Sequence, residues 1–333
     1  MRAAVMGAGA WGTTFAQVLC DAGTSTVLYA RRASQAKAIG ELHENPDYLP
    51  GITLTPVLEA TAEAASALDG ADIVAFAVPA QSLRANLLEW KPLIPAGALL
   101  VSLIKGIELG TRQRMSEVVC EVLGADVARV AVVAGPNLAA EIARRQITGT
   151  VVACVAEEGA LALQSACHTP YFRPYTNADV TGCELGGAVK NIIAIVVGIA
   201  VAMELGDNTR ALLITRGLAE MARLGSALGA QAQTFAGLAG MGDLVATCSS
   251  PLSRNRTFGE NLGRGMSVAE AAALSPTAEG VASCEPVLEL ARSRGVEMPI
   301  TEVATAVMRD GLPVEVAASM LTSRSAKPEW YGP

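Results

Sequence analysis

The sequence predicts an α/β protein, with an N-terminal doubly wound parallel sheet followed by an all-helical C-terminal region. Three observations support this prediction. An apolar segment at the start of the chain runs directly into a glycine-rich turn. Apolar, strand-like segments then alternate with helical segments up to about Asn177, and beyond that residue the helical patterns take over. A chain of 333 residues is long enough for two domains, which we predict over residues 1–177 and 178–333.

The bulk composition argues against several classes of protein. With 51% hydrophobic and 17% charged residues, the chain can bury a large core and is unlike a disordered protein. Its net charge of −7 and its lack of a long basic run argue against nucleic acid as a partner. The seven cysteines include no C-x-x-C pair, and the two histidines belong to no ligand-like cluster. We therefore expect a reducing, cytoplasmic location and no metal, and neither zinc catalysis nor a Ser/His triad is supported.

The sequence also predicts a protein without a membrane segment. Its first residues enter a strand and a glycine turn rather than a basic and then apolar leader, so we expect no signal peptide. The strongly apolar, charge-free run at residues 192–203 is shorter than the roughly 20 apolar residues that a spanning helix needs.

The first candidate site is the glycine-rich turn. Gly7-Ala-Gly9-Ala-Trp-Gly12 has the pattern G-x-G-x-x-G, placed directly after a strand and at the start of a helix. In that setting the first glycine makes a tight turn and the second lets the backbone approach a pyrophosphate. The third lets the helix pack on the strand, and the helix N-terminus offers amide donors to the phosphates. The turn therefore predicts a Rossmann-like dinucleotide site.

The end of the next strand bears on which dinucleotide binds. Residues 26–29 read as a strand, and Ala30, Arg31 and Arg32 follow it. An NAD-preferring fold usually carries an acidic residue near this point to bind the ribose 2′-hydroxyl, whereas arginine suits a 2′-phosphate. We therefore favour NADP(H), with NAD(H) as the alternative if both arginines are merely solvated.

The rest of the N-terminal half continues the alternation of strands and helices. Strands are predicted at residues 72–78, 99–104, 130–134 and 150–155. Helices are predicted near residues 58–68, 81–88, 111–123 and 138–144. Ligands of such sheets bind beyond the carboxyl ends of the strands, so Lys105 and the segment Gly135-Pro-Asn137 should line one crevice. Lys105 is a candidate clamp for an anion, and a solvated loop lysine is the alternative.

The second candidate site centres on one lysine in an apolar helix. Residues 185–203 contain a single charge, Lys190, beside Asn191, and Thr181 with Glu184 has the spacing of a capping box. An ammonium buried in such a helix loses hydration, which lowers its pKa and allows proton exchange near neutral pH. The alternatives are a snorkelling lysine or a structural ion pair. Gly186 and Gly187 leave room for another backbone or a ligand.

Three polar patterns follow in the C-terminal half. Arg216 and Glu220 are four residues apart and predict a structural ion pair. Asp243 and Thr247 share one helix face by the same spacing, just after a glycine-rich bend. The segment 253–256, Ser-Arg-Asn-Arg, offers guanidinium and amide donors that could hold a phosphate, and a solvated basic loop is the alternative.

Together these stretches resemble the bacterial-type NAD(P)-dependent glycerol-3-phosphate dehydrogenase family. The matching segments occur in the family's order over nearly the whole chain: GAGAWGTTFA, LIKGIELGT, AGPNLAAEIA, ELGGAVKNIIAI, GDNTRALLITRGLAEMARLG, GLAGMGDLVATC and SRNRTFG. The resemblance implies reversible reduction of dihydroxyacetone phosphate to sn-glycerol 3-phosphate, in support of glycerophospholipid synthesis. It leaves the oligomeric state open, with a homodimer as one alternative.

The resemblance also implies roles for individual residues. It makes Lys190 the general acid/base. Substrate contacts are implied for Lys105, Gly135, Asn137, Lys190, Asp243, Ser253, Arg254 and Asn255. Cofactor contacts, besides the three glycines of the turn, are implied for Ala10, Trp11, Arg31, Arg32, Lys105, Ala139, Arg254, Thr277 and Glu279. The family commonly has Ser or Thr where this chain has Asn137, whose longer side chain changes the reach of any hydrogen bond there.

Two other functions fit part of the same sequence. A β-hydroxyacid dehydrogenase relative would share the N-terminal fold and a lysine–asparagine pair, but the segment 253–256 and the GMGD stretch argue against a carboxylate substrate. A dinucleotide sensor without turnover would not need a desolvated lysine beside a substrate clamp. Cofactor oxidation in the presence of substrate separates the enzymes from the sensor.

Overall fold

The computed structural model describes residues 1–275, 278–323 and 328. It divides the chain into two compact units. The first, here called the sheet unit, comprises Met1–Lys105 and Gln113–Cys183. The second, the helical unit, comprises Gly106–Arg112 and Glu184–Pro333. The division therefore falls inside the long apolar helix that the sequence places around Lys190.

One sheet of eight strands organises the sheet unit. In chain order the strands are β1 (Arg2–Met6), β2 (Ser25–Tyr29), β3 (Glu59–Thr61), β4 (Ile73–Phe76), β5 (Leu99–Ser102), β6 (Val130–Ala134), β7 (Thr148–Cys154) and β8 (Phe172–Asn177). Their order in the sheet is β3-β2-β1-β4-β5-β6-β7-β8. The order reverses between β1 and β4, which is the point where doubly wound sheets bind ligands.

Seven α-helices cover both faces of this sheet. They are α1 (Ala10–Asp21), α2 (Ala33–Glu41), α3 (Ala64–Leu68), α4 (Leu83–Trp90), α5 (Met115–Leu123), α6 (Ala139–Ala143) and α7 (Glu157–Cys167). Alternate residues of β1 enter different cores: Ala3 and Val5 pack with α1, α2, α6 and α7, whereas Ala4 and Met6 pack with α3, α4 and α5. The strand is buried on both faces, which explains why it reads as a continuous apolar run.

Three details of the sheet differ from the sequence-based expectation. The edge strand β8 lies at residues for which the sequence predicts no strand. Residues 59–61 form the edge strand β3, which pairs with β2, so the helix expected near residues 58–68 is confined to α3. The strand β7 is antiparallel to β6 rather than parallel. The only helix between them is the five-residue α6. The chain therefore re-enters the sheet from the end at which β6 leaves it.

The regular elements of the helical unit are all helices in the residues that the structure describes. They are α8 (Val180–Ala202, which begins in the sheet unit), α9 (Gly206–Ala227), α10 (Ala232–Ala236), α11 (Asp243–Ser249), α12 (Arg254–Gly263), α13 (Val268–Leu274), α14 (Glu279–Ser293), α15 (Pro299–Asp310) and α16 (Val314–Thr322). A short π-helical turn, Leu238–Gly242, leads into α11.

The central helix α8 is a buried core helix. By length and composition it could span a membrane, but 89% of its most apolar window is buried inside the protein. The expected capping box at Thr181 and Glu184 does not start it. The helix begins at Val180, and Asp179 Oδ1 accepts a hydrogen bond from the backbone N–H of Gly182 at 2.8 Å. Asp179 therefore serves as the N-cap, one residue before the helix.

A second buried carboxylate caps another helix of this unit. Glu220, on α9, accepts hydrogen bonds from the backbone N–H of Ile300 at 2.6 Å and of Thr301 at 3.3 Å. These amides open α15, whose N-terminus favours a negative charge. Burial nonetheless raises the pKa of Glu220 to about 7, and these backbone bonds only partly offset the shift. We expected Glu220 to pair with Arg216, and its carboxylate instead binds the start of α15.

Candidate functional site

The glycine-rich turn of the sheet unit has the geometry of a dinucleotide site. A Cβ on Gly7, whose φ is +126°, would lie 2.5 Å from the carbonyl oxygen of Ala77, and one on Gly12 would lie 2.0 Å from that of Gly7. Both positions therefore exclude a side chain because of the fold. A Cβ on Gly9 would meet no atom within 4 Å. Packing within the protein therefore does not require a glycine at position 9. The open space there would let a pyrophosphate approach the backbone closely.

The helix behind this turn can receive that anion. Helix α1 starts after Gly9, and no side chain caps its first N–H groups in the structure as described. Uncapped amides at a helix N-terminus bind phosphate readily. At the predicted cofactor positions, Ala10 opens this helix and Trp11 packs its ring against Phe15 at 5.6 Å. Ala139 lies beside the same helix, since Thr14 Oγ1 donates a hydrogen bond to its carbonyl oxygen.

The two arginines after β2 have different surroundings. Both are exposed. Arg32 forms an ion pair with Asp47 at 2.5 Å, and about half of each side chain is accessible to solvent (51% and 54%). Asp47 sits in the loop between α2 and β3, and no sequence pattern had indicated that this loop reaches the end of β2.

Lys105 and Gly135 meet at the carboxyl ends of neighbouring strands. The ammonium of Lys105, just after β5, donates a hydrogen bond to the carbonyl oxygen of Gly135, just after β6, at 3.1 Å. The two segments therefore lie side by side, and the crevice that we expect them to line stays a prediction. Asn137 lies two residues further on, and both polar atoms of its carboxamide are buried without a hydrogen-bond partner in the described structure. Such a group is costly unless a ligand satisfies it.

In the helical unit, Lys190 lies in a buried polar cluster. The residue is only 5% exposed. Its Nζ donates to Asp243 Oδ1 at 2.5 Å and to Thr247 Oγ1 at 2.6 Å. The carboxylate stabilises the ammonium that burial alone would disfavour. Of the alternatives weighed for this lysine, snorkelling is excluded, and the ion pair is present beside a hydroxyl group that can exchange hydrogen bonds.

A close helix contact brings these three side chains together. A Cβ on Gly186 would lie 2.2 Å from the carbonyl oxygen of Ala239, so only glycine lets the π-helical turn approach α8 this closely. That turn leads directly into α11, which carries Asp243 and Thr247 on one face. π-Helical turns occur often at functional sites. The room that we expected at Gly186 is used by the backbone of this turn.

A second polar chain starts at the neighbouring Asn191. Its Oδ1 accepts a hydrogen bond from Asn255 Nδ2 at 3.0 Å, and Asn255 Oδ1 accepts one from the backbone N–H of Gly280 at 2.8 Å. Asn191 Nδ2 also lies 3.5 Å from Glu279 Oε2. The starts of α12 and α14 are thereby fixed to the residue next to Lys190.

The basic segment 253–256 lies at the start of α12. Some of its residues stabilise the structure, and one can still bind a ligand. Ser253 is the N-cap of α12 and accepts a hydrogen bond from the backbone N–H of Arg256. Arg256 itself binds Glu260 Oε1 at 2.9 Å and the carbonyl oxygen of Ser249. Arg254 is exposed. Its guanidinium therefore stays accessible to an anion, whereas Arg256 is a structural residue.

Some residues that contact the site are not predicted from the sequence, and one predicted residue lies outside the described part of the chain. Thr247 and Asn191 contact the predicted residues but were not assigned to the site, although their spacing and position had been noted. Asp47 had no detectable signal. The predicted cofactor residue Thr277 lies outside the described residues. Within residues 1–275, 278–323 and 328, no group of three or more His, Cys, Asp or Glu side chains is arranged to hold a metal ion.

Two family models match the chain. Residues 2–160 match the N-terminal part of NAD-dependent glycerol-3-phosphate dehydrogenase, and residues 179–319 match its C-terminal part. Among curated proteins, the "Glycerol-3-phosphate dehydrogenase [NAD(P)+]" of Thermobifida fusca is 60% identical over 99% of both chains. The protein of the same name from Streptomyces griseus is 59% identical over 99% of this chain and 98% of its own.

Solved structures give the same result. A glycerol-3-phosphate dehydrogenase from Coxiella burnetii superposes with a TM-score of 0.92 at 36% identity, over 97% of this chain and 99% of that one. A ketopantoate reductase from Ralstonia eutropha reaches a TM-score of only 0.59 at 18% identity, which indicates a shared fold alone.

Proposed function

The chain belongs to the NAD-dependent glycerol-3-phosphate dehydrogenase family, and we propose that it reduces dihydroxyacetone phosphate reversibly to sn-glycerol 3-phosphate with NAD(P)H. One observation carries the proposal most directly. A buried lysine ammonium is bonded to both a carboxylate and a hydroxyl group, at 2.5 Å and 2.6 Å. A reduction of a ketone needs a proton donor of this kind, whereas a dinucleotide sensor does not.

The sheet unit would hold the cofactor. The open position at Gly9 and the uncapped amides of α1 suit its pyrophosphate. When bound, the nicotinamide supplies the hydride for the substrate C2. Lys105, Asn137 and Ala139 follow or flank the ends of β5 and β6, and we assign them to the nicotinamide side of the site. The buried, unsatisfied carboxamide of Asn137 favours such a contact despite its difference from the usual Ser or Thr.

Lys190 would manage the proton. As an ammonium it would stabilise the negative charge that develops on the ketone oxygen and then protonate that oxygen. Asp243 would hold the ammonium in place. The Thr247 hydroxyl accepts a hydrogen bond from the ammonium and can donate one to the neutral amine once the proton has gone, because a hydroxyl group does both. In the oxidising direction, the neutral amine would take the proton of the substrate hydroxyl.

Arg254 would bind the phosphate of the substrate. Its exposed guanidinium can make charge-assisted hydrogen bonds to phosphate oxygens, and Ser253 and Asn255 flank it in sequence. Asn255 Oδ1 already accepts a hydrogen bond from the backbone N–H of Gly280, and one N–H of its Nδ2 donates to Asn191 Oδ1. The second N–H of Nδ2 is therefore the group that would contact the substrate. The phosphate would then fix C2 at a constant distance from its anchor, which accelerates the reaction by positioning.

The finer points of the proposal concern cofactor choice and setting. We favour NADP(H) over NAD(H), because two arginines and no acidic residue end β2. We also propose a cytoplasmic enzyme, since the cysteines of the described residues form no disulfide, and a role in supplying glycerophospholipid synthesis, as the family resemblance implies. A homodimer is the assembly we would test first.

The decisive experiment follows nicotinamide absorbance with dihydroxyacetone phosphate, in parallel with NADPH and NADH. We expect rapid oxidation with the phosphorylated ketone and little with unphosphorylated dihydroxyacetone, because Arg254 would have no anion to bind. A 3-oxo acid, the oxidised form of a β-hydroxyacid, serves as the third substrate. Turnover of the 3-oxo acid but not of dihydroxyacetone phosphate would refute the proposal. So would the absence of turnover with all three substrates in folded protein that binds NADPH.

A further inference from the structure

We propose that Asp47 sets the preference between the two nicotinamide dinucleotides by competing with a 2′-phosphate for Arg32. This inference rests on the proposed function, in which Arg32 reads the adenosine ribose of the cofactor. The ion pair between Arg32 and Asp47, at 2.5 Å, lies within the sheet unit at the end of β2. A 2′-phosphate that approached Arg32 would meet the Asp47 carboxylate beside it, a charge of the same sign.

Asp47 stands in this place because its loop is anchored to the glycine-rich turn. Asn45, two residues earlier, is fully buried and donates hydrogen bonds from Nδ2 to the carbonyl oxygen of Ala8 at 3.0 Å and to Thr13 Oγ1 at 2.8 Å. Gln35, on α2, donates to the same carbonyl oxygen at 2.7 Å and to Asn45 Oδ1 at 3.2 Å. The turn that would bind the pyrophosphate therefore also positions Asp47.

The pair is strong enough to bias binding and weak enough to open. Because about half of each side chain is exposed, solvent screens the pair and limits its contribution to stability. Arg32 can therefore leave Asp47 for a phosphate of greater charge. NADH has no 2′-phosphate, so the ion pair between Arg32 and Asp47 stays intact when NADH binds and does not lower the affinity for NADH. The carboxylate thus lowers the affinity for NADPH selectively, and the chain accepts both cofactors.

The test is the dissociation constant of each dinucleotide, measured by titration calorimetry without substrate. We expect Asp47→Asn to lower the Kd for NADPH about fivefold and to change that for NADH less than twofold, which corresponds to an exposed charge pair. Glu44→Gln is the matched control, since Glu44 is an exposed carboxylate three residues earlier in the same loop. It should change neither value by more than twofold.

Two further measurements connect the effect to Arg32. In an Arg32→Ala background, Asp47→Asn should no longer alter the ratio of the two dissociation constants. The effect should also shrink at high salt, because the pair is screened. An unchanged ratio in Asp47→Asn, an equal shift in Glu44→Gln or a full effect without Arg32 would each overturn the inference alone. If the unaltered protein bound neither dinucleotide, the proposed function would fail with it.

Discussion

The two units build their candidate sites from different chemical groups. At the glycine-rich turn of the sheet unit, the groups that would bind the pyrophosphate are backbone amides and three glycines, which lie close together in sequence and carry no charge. In the helical unit they are buried polar side chains, and the partners of Lys190 lie 53 and 57 residues away from it. A backbone site should tolerate changes of charge and pH but no added Cβ. A site of buried side chains should instead be sensitive to changes of charge and pH and less sensitive to an added Cβ.

The largest effect should come from removal of the buried ammonium. We expect Lys190→Ala to lower kcat about 10²–10⁴-fold, the usual range for loss of a general acid, and to change the Kd for NADPH less than twofold. Steady-state kinetics and calorimetry measure the two effects. Lys37→Ala, an exposed lysine of α2, is the control.

This substitution also removes the ammonium that forms the ion pair with the buried Asp243 carboxylate. Loss of one partner of a buried pair costs about 3–5 kcal/mol of stability, so the single variant could fold poorly. The double variant Lys190→Ala/Asp243→Asn removes that charge and should regain thermal stability without regaining turnover. A variant of either kind with kcat within tenfold of the original would contradict the acid/base role.

The second prediction concerns pH, which should act through the helical unit. Burial raises the pKa of Glu220 from its ordinary 4.5 to about 7 in the folded protein. A carboxyl group whose pKa is higher in the folded protein stabilises the fold fully at a pH below its pKa in the unfolded chain. That contribution is lost as the pH rises towards its pKa in the folded protein. The free energy of unfolding should therefore fall between pH 4.5 and 7, by up to about 3 kcal/mol.

Urea denaturation across this pH range measures the effect. Glu220→Gln should remove most of the slope, because the amide carries no titrating charge; its one oxygen can still accept from the backbone N–H of Ile300, whereas its NH₂ group cannot replace the oxygen that accepts from Thr301. Glu289→Gln, at an exposed position of α14, should leave the slope unchanged. A slope that survives in Glu220→Gln would assign the pH dependence to other groups.

The third prediction distinguishes a functional glycine from a structural one in the backbone-built site. Gly9→Ala should raise the Kd for NADPH at least about tenfold with an unchanged Tm, because its Cβ meets no protein atom but would obstruct the pyrophosphate. Gly12→Ala should instead lower Tm, since its Cβ would lie 2.0 Å from the carbonyl oxygen of Gly7. Normal NADPH binding by a folded Gly9→Ala protein would show that the turn binds something else.

The smallest effect should come from the hydroxyl group beside Lys190. Thr247→Val keeps the shape and removes one hydrogen bond to the ammonium, which is worth about 1 kcal/mol, or roughly fivefold in kcat. Thr247→Ser should restore most of the rate, because it restores the hydroxyl. If serine and valine behaved alike, the contribution of Thr247 would be packing rather than hydrogen bonding.

The sequence was informative about the fold where the pattern extended over several residues. The Rossmann-like sheet and the helical second half followed from apolar runs and their alternation, and both are confirmed. The short edge strand β3 was mistaken for part of a helix, because three residues carry no usable period. The antiparallel direction of β7 is a matter of how two strands pair in space, which periodicity does not report.

The sequence by itself determined the glycine-rich turn, the buried helix around Lys190 and the shared helix face of Asp243 and Thr247. Each depends on residues within about one or two turns of one another, where backbone geometry fixes which groups are neighbours. Tertiary structure decided which groups meet across the chain. Asp243 reaches Lys190 because Gly186 admits the π-helical turn, and Asp47 reaches Arg32 because Asn45 fastens its loop to Ala8. Contacts of this kind join residues that no local pattern relates, and only the packed chain brings them within hydrogen-bond distance.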